Sequence, residues 1–200
     1  MKQYFFFLFL AALLSAKSIS GYQPGDTVAD FKLKNVDGKE VSLSDFKESK
    51  GVIVIFDCNT CPFSKTYNDR IIALSKKYKS LGFPLVAINA NDPVKSPGDS
   101  FDEMVSYAKS HHYDFPYLID QTQEVAKVFG ATNTPHVFVL SHVGSEFKVV
   151  YTGAIDNNAR NASDANKKYV EEVIDALIAG KQVPYSKTKA IGCTIKWKNA

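Results

Sequence analysis

The sequence predicts an α/β protein, a three-layer α/β/α sandwich entered through an N-terminal β-hairpin and extended by a mid-chain insertion. Three observations carry that prediction. Val52-Ile-Val-Ile-Phe56 and Leu85-Val-Ala-Ile88 are apolar throughout, as suits central strands covered on both faces. Between them lies a segment with helical spacing, so the three form a β-α-β unit with a right-handed crossover. Further amphipathic segments near residues 101–108 and 169–178 are available to cover the sheet.

The elements follow in order. Phe31-Lys-Leu-Lys-Asn35 and Glu40-Val-Ser-Leu43 alternate around Asp37-Gly38, a hairpin signal. Pro62 suits a first helical turn. After it Phe63, Tyr67, Ile71, Leu74, Tyr78 and Leu81 recur every three or four residues until Gly82. Residues 89–99 read as a loop with two prolines and a glycine. Ser100 and Glu103 form a capping box ahead of a helix whose buried face is Phe101, Met104, Val105 and Ala108. A short strand is expected near Tyr117–Ile119, then a short helix capped by Asp120 and Gln123 and closed at Gly130. His136–Leu140 and Phe147–Tyr151 read as strands joined through Gly144. Tyr169, Val170, Val173, Ile174, Leu177 and Ile178 mark the last helix, with Gly180 after it.

The first twenty residues are set apart from the fold. Lys2 precedes an unbroken apolar run from Tyr4 to Leu14, too short to span a bilayer as a helix but suited to a secretory signal. Ser18 and Ser20 supply small residues for a cut before Gly21. The expected plan is a signal peptide over 1–20 and one domain over 21–200, with its core at about 24–180 and a tail at 181–200. An exported protein is predicted, periplasmic or secreted, with no stable membrane insertion once the signal is cut. The formal charge of +3 loses Lys2 and Lys17 at that cut, leaving +1. Such a balance gives no electrostatic case for nucleic acid or an anionic membrane surface. Three cysteines are too few for a disulfide-built scaffold; one pair and one leftover thiol point to redox chemistry on an ordinary core.

The pair is Cys58 and Cys61, in Phe56-Asp-Cys-Asn-Thr-Cys-Pro62, between a buried strand and a helix. Two intervening residues let both sulfurs sit on the first turn, close enough to form a disulfide. The free N–H groups and positive dipole end there favour thiolate. Such a thiolate attacks a partner's disulfide, and its neighbour then releases the partner. A zinc site would need two more ligands, and His111, His112, His136 and His142 supply no suitable spacing, so no metal is expected.

The segment Asp37-Gly-Lys-Glu-Val-Ser-Leu-Ser-Asp-Phe46, the Cys-x-x-Cys-Pro turn and Thr134-Pro135 together resemble the redoxin (AhpC/TSA-type) branch of the thioredoxin superfamily. The match is best to the peroxiredoxin-like group with a thioredoxin-style cysteine pair, and it extends into Ala190-Ile-Gly-Cys-Thr-Ile-Lys-Trp197. The resemblance implies a thioredoxin-like fold, a cis Pro135 packed with Thr134 as a wall against the cysteines, and catalysis by Cys58 and Cys61 without a cofactor. It implies protein dithiol or disulfide partners and a separate electron donor or acceptor. Peroxiredoxins carry Pro-x-x-x-Thr-x-x-Cys; aligning that cysteine on Cys61 puts Val54 and Cys58 at the Pro and Thr positions, and residues 134–140 hold no Arg.

The reading is therefore a thiol–disulfide oxidoreductase with Cys58 as the more exposed nucleophile and Cys61 as resolving cysteine. A thiol peroxidase using Cys61 is the alternative, and a copper- or partner-binding module a lesser one. Cys193 alternates with Ile195 and Trp197, which favours a buried, inert thiol over a resolving one. Asp57 reads as a strand-end acid rather than a proton acceptor for Cys58.

Overall fold

The computed structural model describes residues 21–198. The signal-peptide expectation for residues 1–20 lies outside them.

The described elements open with a two-residue strand, β1 (Thr27–Val28), and the expected hairpin of β2 (Lys32–Asn35) and β3 (Glu40–Ser42). Gly38 in its turn takes φ 84°, a conformation that favours glycine. The central strand β4 (Gly51–Phe56) leads into helix α1 (Pro62–Tyr78), then β5 (Leu85–Asn89). The inserted segment supplies α2 (Phe101–Ser110), β6 (Tyr117–Ile119) and α3 (Glu124–Phe129). A short β7 (Asn133–Thr134) precedes the long pair β8 (His136–Val143) and β9 (Glu146–Gly153). Helix α4 (Tyr169–Ile178) and a short β10 (Cys193–Thr194) complete the described elements.

Eight strands form one mixed sheet in the order β1-β9-β8-β4-β5-β6-β2-β3. β4, β5 and β6 run parallel, and β8 lies antiparallel to β4 on its other side. Alternation along β4 divides the core. Ile53 and Ile55 face Tyr67, Ile71 and Leu74 of α1, Met104 of α2, and Val173 and Ile174 of α4. Val52, Val54 and Phe56 face Ala126 and Phe129 of α3, with Ile195 of the tail in the same cluster. The three-layer α/β/α architecture is the expected one, and the fold is thioredoxin-like.

The differences lie at edges. β8 and β9 run past their expected ends because His142, Val143 and Glu146 continue the ladder with one exposed face. β1, β7 and β10 have two residues each, too few for alternation to show in sequence. Val105 and Ile178, expected on buried helix faces, are exposed: Met104 and Ala108, four apart, already fill the α2 contact. The tail is not a loose appendage. Thr188 N donates to Thr152 O, Ile195 N to Thr132 O, and Asp92 N and Gln123 Nε2 both donate to Lys196 O. β10 pairs with β7 so that Cys193 stands opposite Thr134.

Candidate active site

The Cys58–Cys61 turn sits where the parallel strand β4 ends and α1 begins. Its backbone is fastened by a carboxylate forty residues away. Asp99 accepts the Asn59 N–H at 2.7 Å and the Thr60 hydroxyl at 2.7 Å. It also accepts Ser96 Oγ, Asn89 Nδ2 and Asn91 Nδ2. Burial would raise its pKa, but the donors from Ser96, Asn91, Thr60 and Asn59 outweigh this and hold it below the usual carboxylate value. Asn59 Oδ1 further accepts the Tyr117 hydroxyl, and its Nδ2 donates to Gly98 O. Sequence reasoning missed Asp99, because no spacing rule links residue 99 to residues 59 and 60.

Both cysteines are free thiols, and both are buried, Cys58 at 2% exposure and Cys61 at 3%. Cys58, expected to be the more exposed of the two, is buried as deeply as Cys61. Cys61 is the N-cap residue of α1, with Pro62 following at the first helical position. Thr134 lines the pair on the other side. Its hydroxyl lies 3.1 Å from Cys58 Sγ, and its carbonyl accepts the neutral Cys61 thiol at 3.2 Å. The Thr134–Pro135 bond is cis, the isomer that the resemblance implies.

The donors around the two sulfurs are unequal. Cys61 accepts the thiol of Cys58, and against the cost of burial it also accepts the Cys193 thiol and the backbone N–H groups of Ser64 and Cys193. Together they bring its pKa down to about 4. Cys58 is pushed the other way by its bond to Cys61, by burial and by the charges of Asp57 and Asp99, with only Thr134 opposing. The sequence expected the thiolate on Cys58; the groups around the sulfurs instead pull Cys61 down, through the α1 first-turn amide, and push Cys58 up, beside two carboxylates.

Asp57 is 4% exposed, and its Oδ1 has no hydrogen-bond partner. Burial raises its pKa to about 7, with the Ser64 hydroxyl and Cys58 N–H partly offsetting this. Ser64 Oγ is also 3.9 Å from Cys58 Sγ, so one hydroxyl bridges the carboxyl and the thiol. A carboxyl that titrates near neutrality beside a reacting thiol is placed to accept its proton. The strand-end reading of Asp57 missed this because the sequence does not show its burial.

His136 does not join the pair. Its Nε2 contacts Thr152 Oγ1 at 3.0 Å and its ring stacks on Phe138. Burial, with Lys187 nearby, lowers its pKa to about 4. Among the described residues no group of three His, Cys, Asp or Glu side chains is arranged to hold a metal ion. Cys193 is half-buried rather than buried, and it does reach the site.

The AhpC/TSA family model matches residues 24–151. The chain belongs to the AhpC/TSA family. It is also similar to the thiol-disulfide oxidoreductase ResA of Bacillus subtilis (strain 168), 28% identical over 143 residues that cover 72% of this chain and 74% of the relative. A conserved protein of known structure from Geobacillus kaustophilus is 36% identical, with a TM-score of 0.83 over 90% of this chain and 95% of that one. A protein from Chlorobium tepidum assigned as the thiol:disulfide interchange protein DsbE shares the fold. Its TM-score is 0.60 at 22% identity, over 79% of this chain and 99% of that one. These likenesses place the chain in the redoxin branch of the thioredoxin superfamily.

Proposed function

We propose that this chain is an exported thiol–disulfide oxidoreductase acting by dithiol/disulfide exchange at Cys58-Asn-Thr-Cys61. The observation that carries the reading is the pair of free sulfurs at the start of α1, both in contact with Thr134. The thiol-disulfide oxidoreductase ResA, a relative, supports the same chemistry.

In the reducing direction the Cys61 thiolate attacks one sulfur of a partner protein's disulfide, and the other sulfur leaves as a thiolate. Cys58 then gives its proton through Ser64 to Asp57 and attacks Cys61 Sγ. The mixed disulfide breaks, Cys58–Cys61 closes, and the partner leaves as a dithiol. The reverse sequence oxidises a partner dithiol. The two cysteine sulfurs carry both electrons, so the step needs no cofactor, only a second dithiol or disulfide protein to reset the pair.

The test is equilibration of the purified protein in glutathione buffers of graded potential, with disulfides mapped by mass spectrometry, followed by insulin reduction. The reading expects a reversible Cys58–Cys61 disulfide and catalysed insulin reduction that disappears in Cys61→Ser. A pair that never closes, or closes without any exchange, would overturn it.

Export rests on Lys2, the Tyr4–Leu14 run and Ser18-Ile-Ser20. Gly21 as the N-terminus of protein isolated from its native host supports it, and an intact Met1 contradicts it. Among the described residues no helix is long and apolar enough to cross a membrane.

A low-pKa Cys61 also favours a second reading, a thiol peroxidase in which Cys61 becomes a sulfenic acid. The guanidinium of Arg70 is taken up by Asp156 at 2.6 Å and Asn158 O at 2.7 Å, so it is not free to polarise a peroxide at Cys61. Slow peroxide consumption is the expected result; a fast, saturable reaction that survives Cys58→Ser would favour the peroxidase.

A further inference from the structure

The tail lies across the cysteine pair, and it carries a thiol. In the β7–β10 pairing Cys193 stands opposite Thr134, the residue whose hydroxyl and carbonyl contact Cys58 and Cys61. Gly192 approaches so closely that a Cβ there would collide with Thr134 O. Lys196 N donates to Asn91 Oδ1 and Ile195 N to Thr132 O, which fasten the strap on either side. The Cys193 thiol and backbone N–H both act on Cys61 to lower its pKa. The Phe63 N–H likewise lowers the pKa of Cys193, and the Ser64 N–H that of Cys61. Two sulfurs thus share the first-turn amides of α1, and Cys193 is the more exposed of them.

We infer that Cys193 is a third redox thiol, which takes the disulfide over from the buried pair and presents it to protein partners as Cys61–Cys193. The inference rests on the exchange reading above. The step is an isomerisation that needs no outside oxidant. With Cys58–Cys61 closed, the Cys193 thiolate attacks Cys61 Sγ. The Cys61–Cys193 bond forms, the Cys58–Cys61 bond breaks, and its electron pair leaves on Cys58. Cys58 takes up a proton equivalent to the one Cys193 lost. A partner dithiol then attacks Cys193 Sγ and expels Cys61, the better-stabilised thiolate and so the better leaving group. The partner's second thiol closes the partner's own disulfide and releases Cys193 as a thiolate, which takes up a proton.

Burial gives the relay its purpose. At 2% and 3% exposure both sulfurs of the pair are harder for a bulky partner to reach than the half-buried Cys193. Cys193 lies on the strap and is reachable from outside. Burial and its bonds to Cys61 raise its pKa to about 11 in the reduced state, with the Phe63 N–H and Lys196 opposing. When Cys61 is tied up with Cys58, the Cys61 charge that holds Cys193 protonated is gone, so the third thiol becomes reactive when the relay needs it.

The test is disulfide mapping of the purified wild-type chain, Cys58→Ser and Cys193→Ser across glutathione buffers, with acid quenching. The wild type should show two mutually exclusive linkages, Cys58–Cys61 and Cys61–Cys193. Cys58→Ser should close Cys61–Cys193. Cys193→Ser should still close Cys58–Cys61 but oxidise a reduced peptide dithiol about tenfold more slowly. The relay falls if Cys58–Cys61 closes and exchanges in the wild type while Cys61–Cys193 is never found. It also falls if Cys58→Ser leaves Cys61 glutathionylated beside a free Cys193. Should Cys58–Cys61 itself fail to close, the underlying exchange reading falls with it. The wild-type mapping needs no substitution, and Cys193→Ala provides a second variant if Cys193→Ser does not fold.

Discussion

The hydroxyl of Thr134 lies 3.1 Å from Cys58 Sγ, and it lowers the pKa of a thiol that burial and its neighbours push up. Thr134→Val keeps the shape and removes that donor. A hydrogen bond to a sulfur gaining charge contributes about 1 kcal/mol. The variant should therefore slow release of the mixed disulfide about fivefold while leaving initial attack by Cys61 unchanged. Stopped-flow measurement of the two phases against a small disulfide checks this; equal slowing of both phases would refute it.

Asp57 gives a pH dependence whose direction follows from its raised pKa. Its folded value is about 7 against 3.8 in the reference state, so the fold favours the neutral carboxyl. That contribution is fully present below about pH 4 and is lost as pH rises to about 7. Asp57→Asn should remove the loss, raising stability at about pH 8 by at most about 4 kcal/mol while changing little at about pH 4. It should also flatten the pH profile of the second exchange step near neutrality. Thermal melts at both pH values test the first effect, and single-turnover kinetics the second.

Asp99 is expected to matter for shape rather than chemistry. Asp99→Ala strands the Asn59 N–H and frees the Thr60 hydroxyl, with Ser96, Asn89 and Asn91 losing an acceptor as well. A loss of about 3 kcal/mol is expected in urea unfolding. Asp99→Asn, which keeps one acceptor oxygen, should recover part of it.

Much of this was legible in the sequence, and the reasons are local. The apolar run of Val52–Phe56, the spacing from Phe63 to Tyr78 and the Asp37-Gly38 turn each report on neighbours within a few residues, so hairpin, central strand and helix emerge in the right order. The position of Cys58 and Cys61 at a strand–helix junction was readable for the same reason. What was not readable depends on contacts between distant residues. Asp99 fastens Asn59 across forty positions, and Cys193 reaches Cys61 across more than a hundred, through a two-residue pairing with Thr134. The division of charge between Cys58 and Cys61 also depends on distant contacts: dipole reasoning treats both sulfurs alike, while Cys193 and the depth of Asp57 distinguish them.

The central claim is that the reactive thiolate of the reduced protein is on Cys61. Ultraviolet thiolate absorbance, followed during pH titration of the wild type, Cys58→Ser and Cys61→Ser, tests it most directly because it needs no reagent to enter the buried site. A titration step near pH 4 is expected in the wild type, weakened but retained in Cys58→Ser, where the serine hydroxyl still donates, and absent in Cys61→Ser. An acidic step that survives Cys61→Ser and vanishes in Cys58→Ser would contradict the account.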